Sequence, residues 1–186
     1  MGNVNAPFGL RAVYHPSGII RPEVSTIASA YGTSIYTGAP VQIAADGTIT
    51  AAAAGARACG IFMGCEYTEP GGRRRVSPYW PAGQVATDIV AYFTRGPDIV
   101  YEVQADAALS QAAIGSQYDW TANGSANGNT STGQSTVALG VSTNAANAGL
   151  QLLGPSLYPD NLITDTFPVV QVRISEHQLR ADVAQF

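Results

Sequence analysis

Lysine is absent from this chain: all nine cationic side chains are arginine, and charged residues make up only 12% of it. Ordinary soluble proteins carry about twice that share. A surface so poor in charge predicts that part of it is covered in an assembly. The net charge of -4 argues against a protein whose main task is coating nucleic acid. No apolar run approaches the roughly 20 residues of a membrane span. The opening MGNVNAPFGLR shows no charged stretch followed by an apolar one, and Ala6 stands where a myristoylation signal wants Ser or Thr. The expectation is a chain with no membrane partner and no secretory signal.

Reactive groups are equally scarce. Cys59 and Cys65 fall in one apparent strand, which at roughly 3.3 Å per residue sets them about 20 Å apart, far beyond the ~7 Å reach of a disulfide. They read as buried free thiols. Two cysteines and two distant histidines, His15 and His177, make no zinc site. There is no G-x-S-x-G elbow, no H-E-x-x-H, no phosphate-binding loop and no D-x-D-x-D-G calcium loop. Asp88 and Glu102 could face one another across a hairpin as a glycosidase pair, but exposed sheet carboxylates or arginine partners are the plainer reading. The expectation is a protein that is not an enzyme, with no cofactor.

What the chain does have is strand pattern. In Asp88–Phe93 the odd residues Ile89, Ala91 and Phe93 share a face, and Ile99, Tyr101 and Val103 do so further on. Between them Thr94-Arg95-Gly96-Pro97-Asp98 has the length of a hairpin connection. The opposite faces are semi-apolar, which predicts that another part of the chain or a partner lies over them. Asp46-Gly47 signals a second hairpin. In CGIFMGCEY, Cys59, Ile61, Met63, Cys65 and Tyr67 are assigned to the core face, with Gly60 and Gly64 marking close backbone approach or a bulge. Gly71-Gly72 makes a turn tip before Arg73, Arg74 and Arg75, a solvated basic tip or a bidentate grip for carboxylates or phosphates. TVALGV, LQLLG and PVVQVRIS supply further strands, with Val137, Leu139, Val141 and then Val170, Val172, Ile174 inward.

Residues 1–24 hold too many prolines and glycines for a helix and too many apolar side chains for a free tail. They read as an extended arm, docked either on a neighbouring subunit or on its own domain. A β-rich core of residues 25–175 follows, containing a polar loop at 121–136 expected to project into solvent; its Asn123 and Asn129 sequons would matter only in a secreted eukaryotic protein. Asp106 is expected to cap a short helix over 106–114. Ser175 with Gln178 suggests a capping box opening a short C-terminal helix or tail at 176–186, with Leu179, Val183 and Phe186 on one face. The count is eight or nine short strands: an all-β barrel or sandwich with short helical turns. Tyr79-Trp80, held between Pro78 and Pro81, is the best recognition candidate; it anchors an interface, stacks on carbohydrate, or plugs one end of the barrel.

Several of these stretches together resemble the capsid decoration, or cement, proteins of tailed bacteriophages. They are Tyr79-Trp80-Pro81-Ala82-Gly83, Asp88-Ile89-Val90-Ala91-Tyr92, the run Pro97 to Asp106, Ala6-Pro7-Phe8-Gly9-Leu10-Arg11, the segment from Val41 through Asp46-Gly47 to Gly60-Ile61, and the ending Val172 to His177. The resemblance spans most of the chain and carries no catalytic residues. It implies a homo-oligomer, typically a trimer, made in the host bacterial cytoplasm and seated on the exterior of the capsid. There it would clamp adjacent subunits of the major capsid protein without touching nucleic acid. On this reading Pro7, Phe8, Leu10, Arg11, Tyr14, Ile19, Ile20, Tyr79 and Trp80 carry the partner contacts. The alternative is a carbohydrate-binding or fibre-type virion domain that uses Tyr79 and Trp80.

Overall fold

Alternating side chains and frequent turn residues produce short strands throughout the computed structural model, which describes residues 3–121, 127–143 and 148–180. In chain order these are β1 (Arg11–Tyr14), β2 (Glu23–Ser25), β3 (Ile35–Tyr36), β4 (Pro40–Ile43), β5 (Ile49–Ala51), β6 (Gly60–Thr68), β7 (Arg74–Ser77), β8 (Tyr79–Trp80), β9 (Thr87–Thr94), β10 (Val100–Gln104), β11 (Gln117–Tyr118), β12 (Gly128–Asn129), β13 (Gln134–Ser135), β14 (Leu150–Pro155) and β15 (Val169–Ile174). The chain is all-β. Among the described residues the only helical pieces are two 3-10 turns, at Gln111–Ala113 and Val141–Thr143. The strands outnumber the eight or nine expected because several are two-residue pairings too short to leave a periodic signature.

Two antiparallel sheets dominate. The first runs β1-β10-β15-β14-β11; the second runs β2-β9-β6-β4-β5, with β7 also paired to β6. Each builds its own core. The first gathers Tyr101, Val103, Trp120, Leu139, Leu152 and Val172, among others. The second gathers Ile35, Val41, Phe62, Tyr67, Trp80 and Phe93. In β15, Val170, Val172 and Ile174 are buried while Arg173 is exposed, as alternation predicts. Full burial of each such side chain contributes about 1.5–3 kcal/mol. The Asp46-Gly47 hairpin also forms, joining β4 to β5 with Gly47 at φ 81°, and Gly72, at φ 79°, turns β6 into β7.

The stretch from Asp88 to Gln104 is not a hairpin. β9 pairs with β2 and β6, whereas β10 pairs with β1 and β15, so the chain crosses from the second sheet to the first. Ile99 N–H bonds Gly96 O at 3.4 Å, and neither Pro97 nor Asp98 has a positive φ. A five-residue connection of this kind is compatible with a hairpin, so the strands part because β2 and β6 take the edges of β9 while β1 and β15 take those of β10. The arm makes the reverse crossing. Arg11 pairs with Glu102 in the first sheet and Glu23 with Phe93 in the second. Segments 11–25 and 91–102 thus form one antiparallel ribbon that spans both sheets. The arm docks on its own chain, and its prolines and glycines break the ladder only in the middle.

Other expectations are corrected. Met63 is 46% exposed, because a bulge between Phe62 and Gly64 shifts the alternation and buries Phe62 instead. Gly60 does mark close approach, since a Cβ there would lie 1.5 Å from Thr94 O. Asp106 does not cap a helix; its Oδ1 accepts the Val141 N–H at 2.8 Å. TVALGV forms isolated bridges at Leu139, to Ala105 and Trp120, in place of a strand, although Val137 and Leu139 are buried as assigned. Ser175 and Gln178 form no capping box: Ser175 donates to Ala148 O and Gln178 bonds the Ile43 backbone. Val183 and Phe186 lie outside the described residues. The described part of the polar loop, 127–136, folds back on the protein. Thr37 N–H bonds Gly133 O at 3.0 Å and Ser135 N–H bonds Thr37 O at 2.9 Å. Gly128 and Gly133 permit this, since a Cβ would collide with Tyr36 and Pro78. Asn123 lies outside the described residues, and Asn129 is exposed.

Candidate functional site

The arm brings several of the interface candidates to one place. Leu10 is buried in the first core, its N–H bonded to Gly38 O at 2.8 Å. Phe8 is half-buried under the Arg11 guanidinium, 5.4 Å from ring centroid to Cζ. With Ile20, Ile61, Phe62 and Met63 they line an apolar groove of about 620 Å³. Pro7 is half-buried beside them. Beyond the groove the arm turns outward at Pro16-Ser17-Gly18, where His15 Nδ1 lies 2.7 Å from Ser17 Oγ. Val13, Tyr14, Ile19 and Val24 are 38%, 57%, 58% and 64% exposed. The arm's strands are therefore committed to its own sheets while Val13, Tyr14, Ile19 and Val24 face solvent.

Arg11 is fixed by a cluster that sequence reading passes over. Its Nη2 lies 2.6 Å from Glu102 Oε2 and 2.6 Å from Tyr158 Oη, and Tyr158 donates to Glu102 Oε2 at 2.7 Å. Burial by itself would raise the Glu102 carboxyl pKa, but the bonds from Arg11 and Tyr158 outweigh it and hold the group below the usual carboxylate range. Ser156-Leu157-Tyr158-Pro159-Asp160-Asn161 reads only as a turn. The one local signal is Asn161, whose side chain bonds Ser156 O and the N–H and O of Val169, closing the loop that presents Tyr158. Gln104, on the same face as Glu102, accepts from Ala6 N–H and donates to Val4 O, both at 2.8 Å. The semi-apolar face of β10 is covered by this chain's own arm.

Tyr79 and Trp80 are not part of the groove. They form β8, paired with β3 beside the second core. Trp80 is fully buried, edge-on to Tyr67 at 5.3 Å, and Tyr79 is half-buried, stacked on Tyr36 at 5.4 Å. Trp80 cannot meet a sugar or a partner without opening that core. Asp88 and Glu102 sit in different sheets with different partners, so no carboxylate pair forms. Arg74 and Arg75 are spent on Glu66 and Glu69, each at 3.1 Å. Cys59 and Cys65 are buried free thiols, and burial pushes both up to about 12. Among the described residues no group of three metal-ligating side chains comes together, and no helix is long and apolar enough to cross a membrane.

No protein-family model, curated protein or solved structure matches this chain.

Proposed function

We propose that the protein is a non-enzymatic structural component of a tailed-phage virion that binds the outer surface of the head and clamps adjacent major capsid subunits. The observation that carries this reading is the arm, whose backbone is pinned in two sheets of its own chain while Val13, Tyr14, Ile19 and Val24 stay exposed. Exposed apolar side chains on strands that are already paired are pre-organised for docking, because little ordering entropy is lost when a partner covers them. The low charge of the chain fits a surface that is covered in use. Binding adds to shell stability if the site exists on the mature lattice and not on free subunits, and repetition over many sites lets modest contacts resist a large load. A homotrimer is the expected assembly.

The test is occupancy of expanded heads that lack the protein. A Tyr14→Asp, Ile19→Asp double variant leaves the buried cores untouched and is expected to lose at least about tenfold in affinity, equivalent to ~1.4 kcal/mol. Full occupancy by a variant that keeps the native circular dichroism would overturn the assignment. Light scattering of the free protein, set against the 19.3 kDa chain mass, tests the trimer independently.

A further inference from the structure

After β15 the chain folds against residues 43 and 57–59. Ala58 and His177 form a parallel bridge, and Gln178 N–H bonds Ala58 O at 2.8 Å. The side-chain amide of Gln178 clasps the backbone of Ile43, accepting from its N–H and donating to its carbonyl, both at 2.7 Å. This continues the ladder of β4 past Val41, where pairing with β6 ends. Arg57 donates to His177 O at 3.3 Å and to Arg180 O at 3.4 Å, and Arg180 reaches Asp98 at 3.9 Å.

His177 is the centre of this contact and is 1% exposed. Its Nδ1 accepts the Leu179 N–H at 3.2 Å, so the neutral ring carries its proton on Nε2. Nε2 is buried and, among the described residues, has no partner in hydrogen-bond geometry, although the backbone of Arg95 and Cys59 lies near the ring. A second proton would have to sit on Nδ1, where it meets the Leu179 N–H and destroys the bond that shapes the segment. The charges that act on the ring, Arg180 and Arg95, oppose that proton. Its own segment brings Arg180 and the neighbouring Glu176; residues 57–59 bring Arg57 and the neutral Cys59 thiol; the β9–β10 connection brings Arg95 and Asp98, the latter facing Arg180. Burial is the largest influence and lowers the imidazole pKa. The nearby backbone of Arg95 and Cys59 partly offsets it, and the charges of Arg180 and Arg95 add to it.

We propose that residues 175–180 are an acid-released latch: protonation of His177 undocks the segment from Ala58 and Ile43 while both cores stay folded. The docked ring titrates below its ordinary value and the undocked ring at it. Docking is therefore fully favoured above that value and weakens as pH falls through it, by at most about tenfold per pH unit for one proton. Release uncovers Ala58 O and both backbone groups of Ile43, a short strand edge that an extended segment of another chain can pair with.

Hydrogen exchange of the intact protein, corrected for the intrinsic pH dependence of exchange, tests this. Protection of the Gln178, Arg180 and Ile43 amides is expected to fall as pH drops below about 6.5, by no more than about tenfold per pH unit, with Val103 and Val172 unchanged. In His177→Asn, whose side-chain oxygen accepts from Leu179 without titrating, the same amides are expected to show no pH step. Flat protection in the wild type down to about pH 5, an identical step in the variant, or parallel loss at Val103 would each overturn the latch. Should the variant not fold, the ring resonances of wild-type His177 decide. A titration in step with the amide loss sustains the proposal, and a titration without it refutes it.

Discussion

The two main sheets carry the same trio of side chains, arginine, glutamate and tyrosine, in different settings. On the first, Glu102 is 8% exposed and binds Arg11 from the arm and Tyr158 from a loop, partners 91 and 56 residues away. On the second, Glu66 is 26% exposed and binds Arg74 from the adjoining strand of its own hairpin and Tyr92 from the strand on its other side. The first trio clamps remote chain segments onto a sheet. The second reinforces strands that the ladder already holds. Desolvation makes the difference: a carboxylate removed from water depends on its partners, whereas one left in water is already satisfied.

The comparison extends to the cores. Both cysteines belong to the second core and none to the first. With their pKa values moved from 9.0 to about 12, Cys59 and Cys65 are expected to alkylate about a thousandfold more slowly at pH 8 than ordinary thiols, from loss of thiolate alone. Rapid labelling of the native protein by iodoacetamide would mean that the second core opens readily. Each core also encloses one tryptophan, Trp120 and Trp80, both fully buried. Replacing either with alanine is expected to cost about 3–5 kcal/mol. The cores meet at β6, where Ile61 packs in one and Phe62 in the other, and at the 2.9 Å contact between Thr94 and Tyr101 hydroxyls. Both variants should therefore shift one shared urea transition; two separated transitions would show that the sheets unfold independently.

The glutamates come next in size. Glu102→Gln is expected to cost about 1–2 kcal/mol at neutral pH, discounted because solvent screens the 58% exposed Arg11 side chain. Glu66→Gln should cost less. Both carboxyl groups titrate below the ordinary glutamate value in the folded protein. Their contribution is complete above that value and is lost as pH falls through it toward the folded pKa. An acid titration of stability should thus flatten in both Glu102→Gln and Glu66→Gln, and an unchanged acid limb in either variant would break that assignment. The smallest effects belong to exposed apolar positions. Val76→Ser and Leu162→Ser, at 81% and 65% exposure, should each change stability by less than about 0.5 kcal/mol.

Much of this was open to reading. Burial of Ile99, Tyr101 and Val103, of Val170, Val172 and Ile174, and the turns at Gly47 and Gly72 all follow from local pattern. The arm's apolar character was equally plain, and it supplied Phe8, Leu10, Arg11 and Ile20 to the groove. Tyr158 and Met63 were not foreseen, the first because a turn sequence hides its role and the second because one bulge reverses alternation.

Side-chain alternation is a property of neighbours along the chain, so all-β character and the inward residues of most strands were already decided there. Which strand pairs with which was not. Every extended segment offers the same backbone donors and acceptors, so β9 and β10 look like a hairpin until β1, β2, β6 and β15 compete for their edges. Tertiary packing resolved that competition. It split one apparent hairpin between two sheets and laid the arm alongside as its partner.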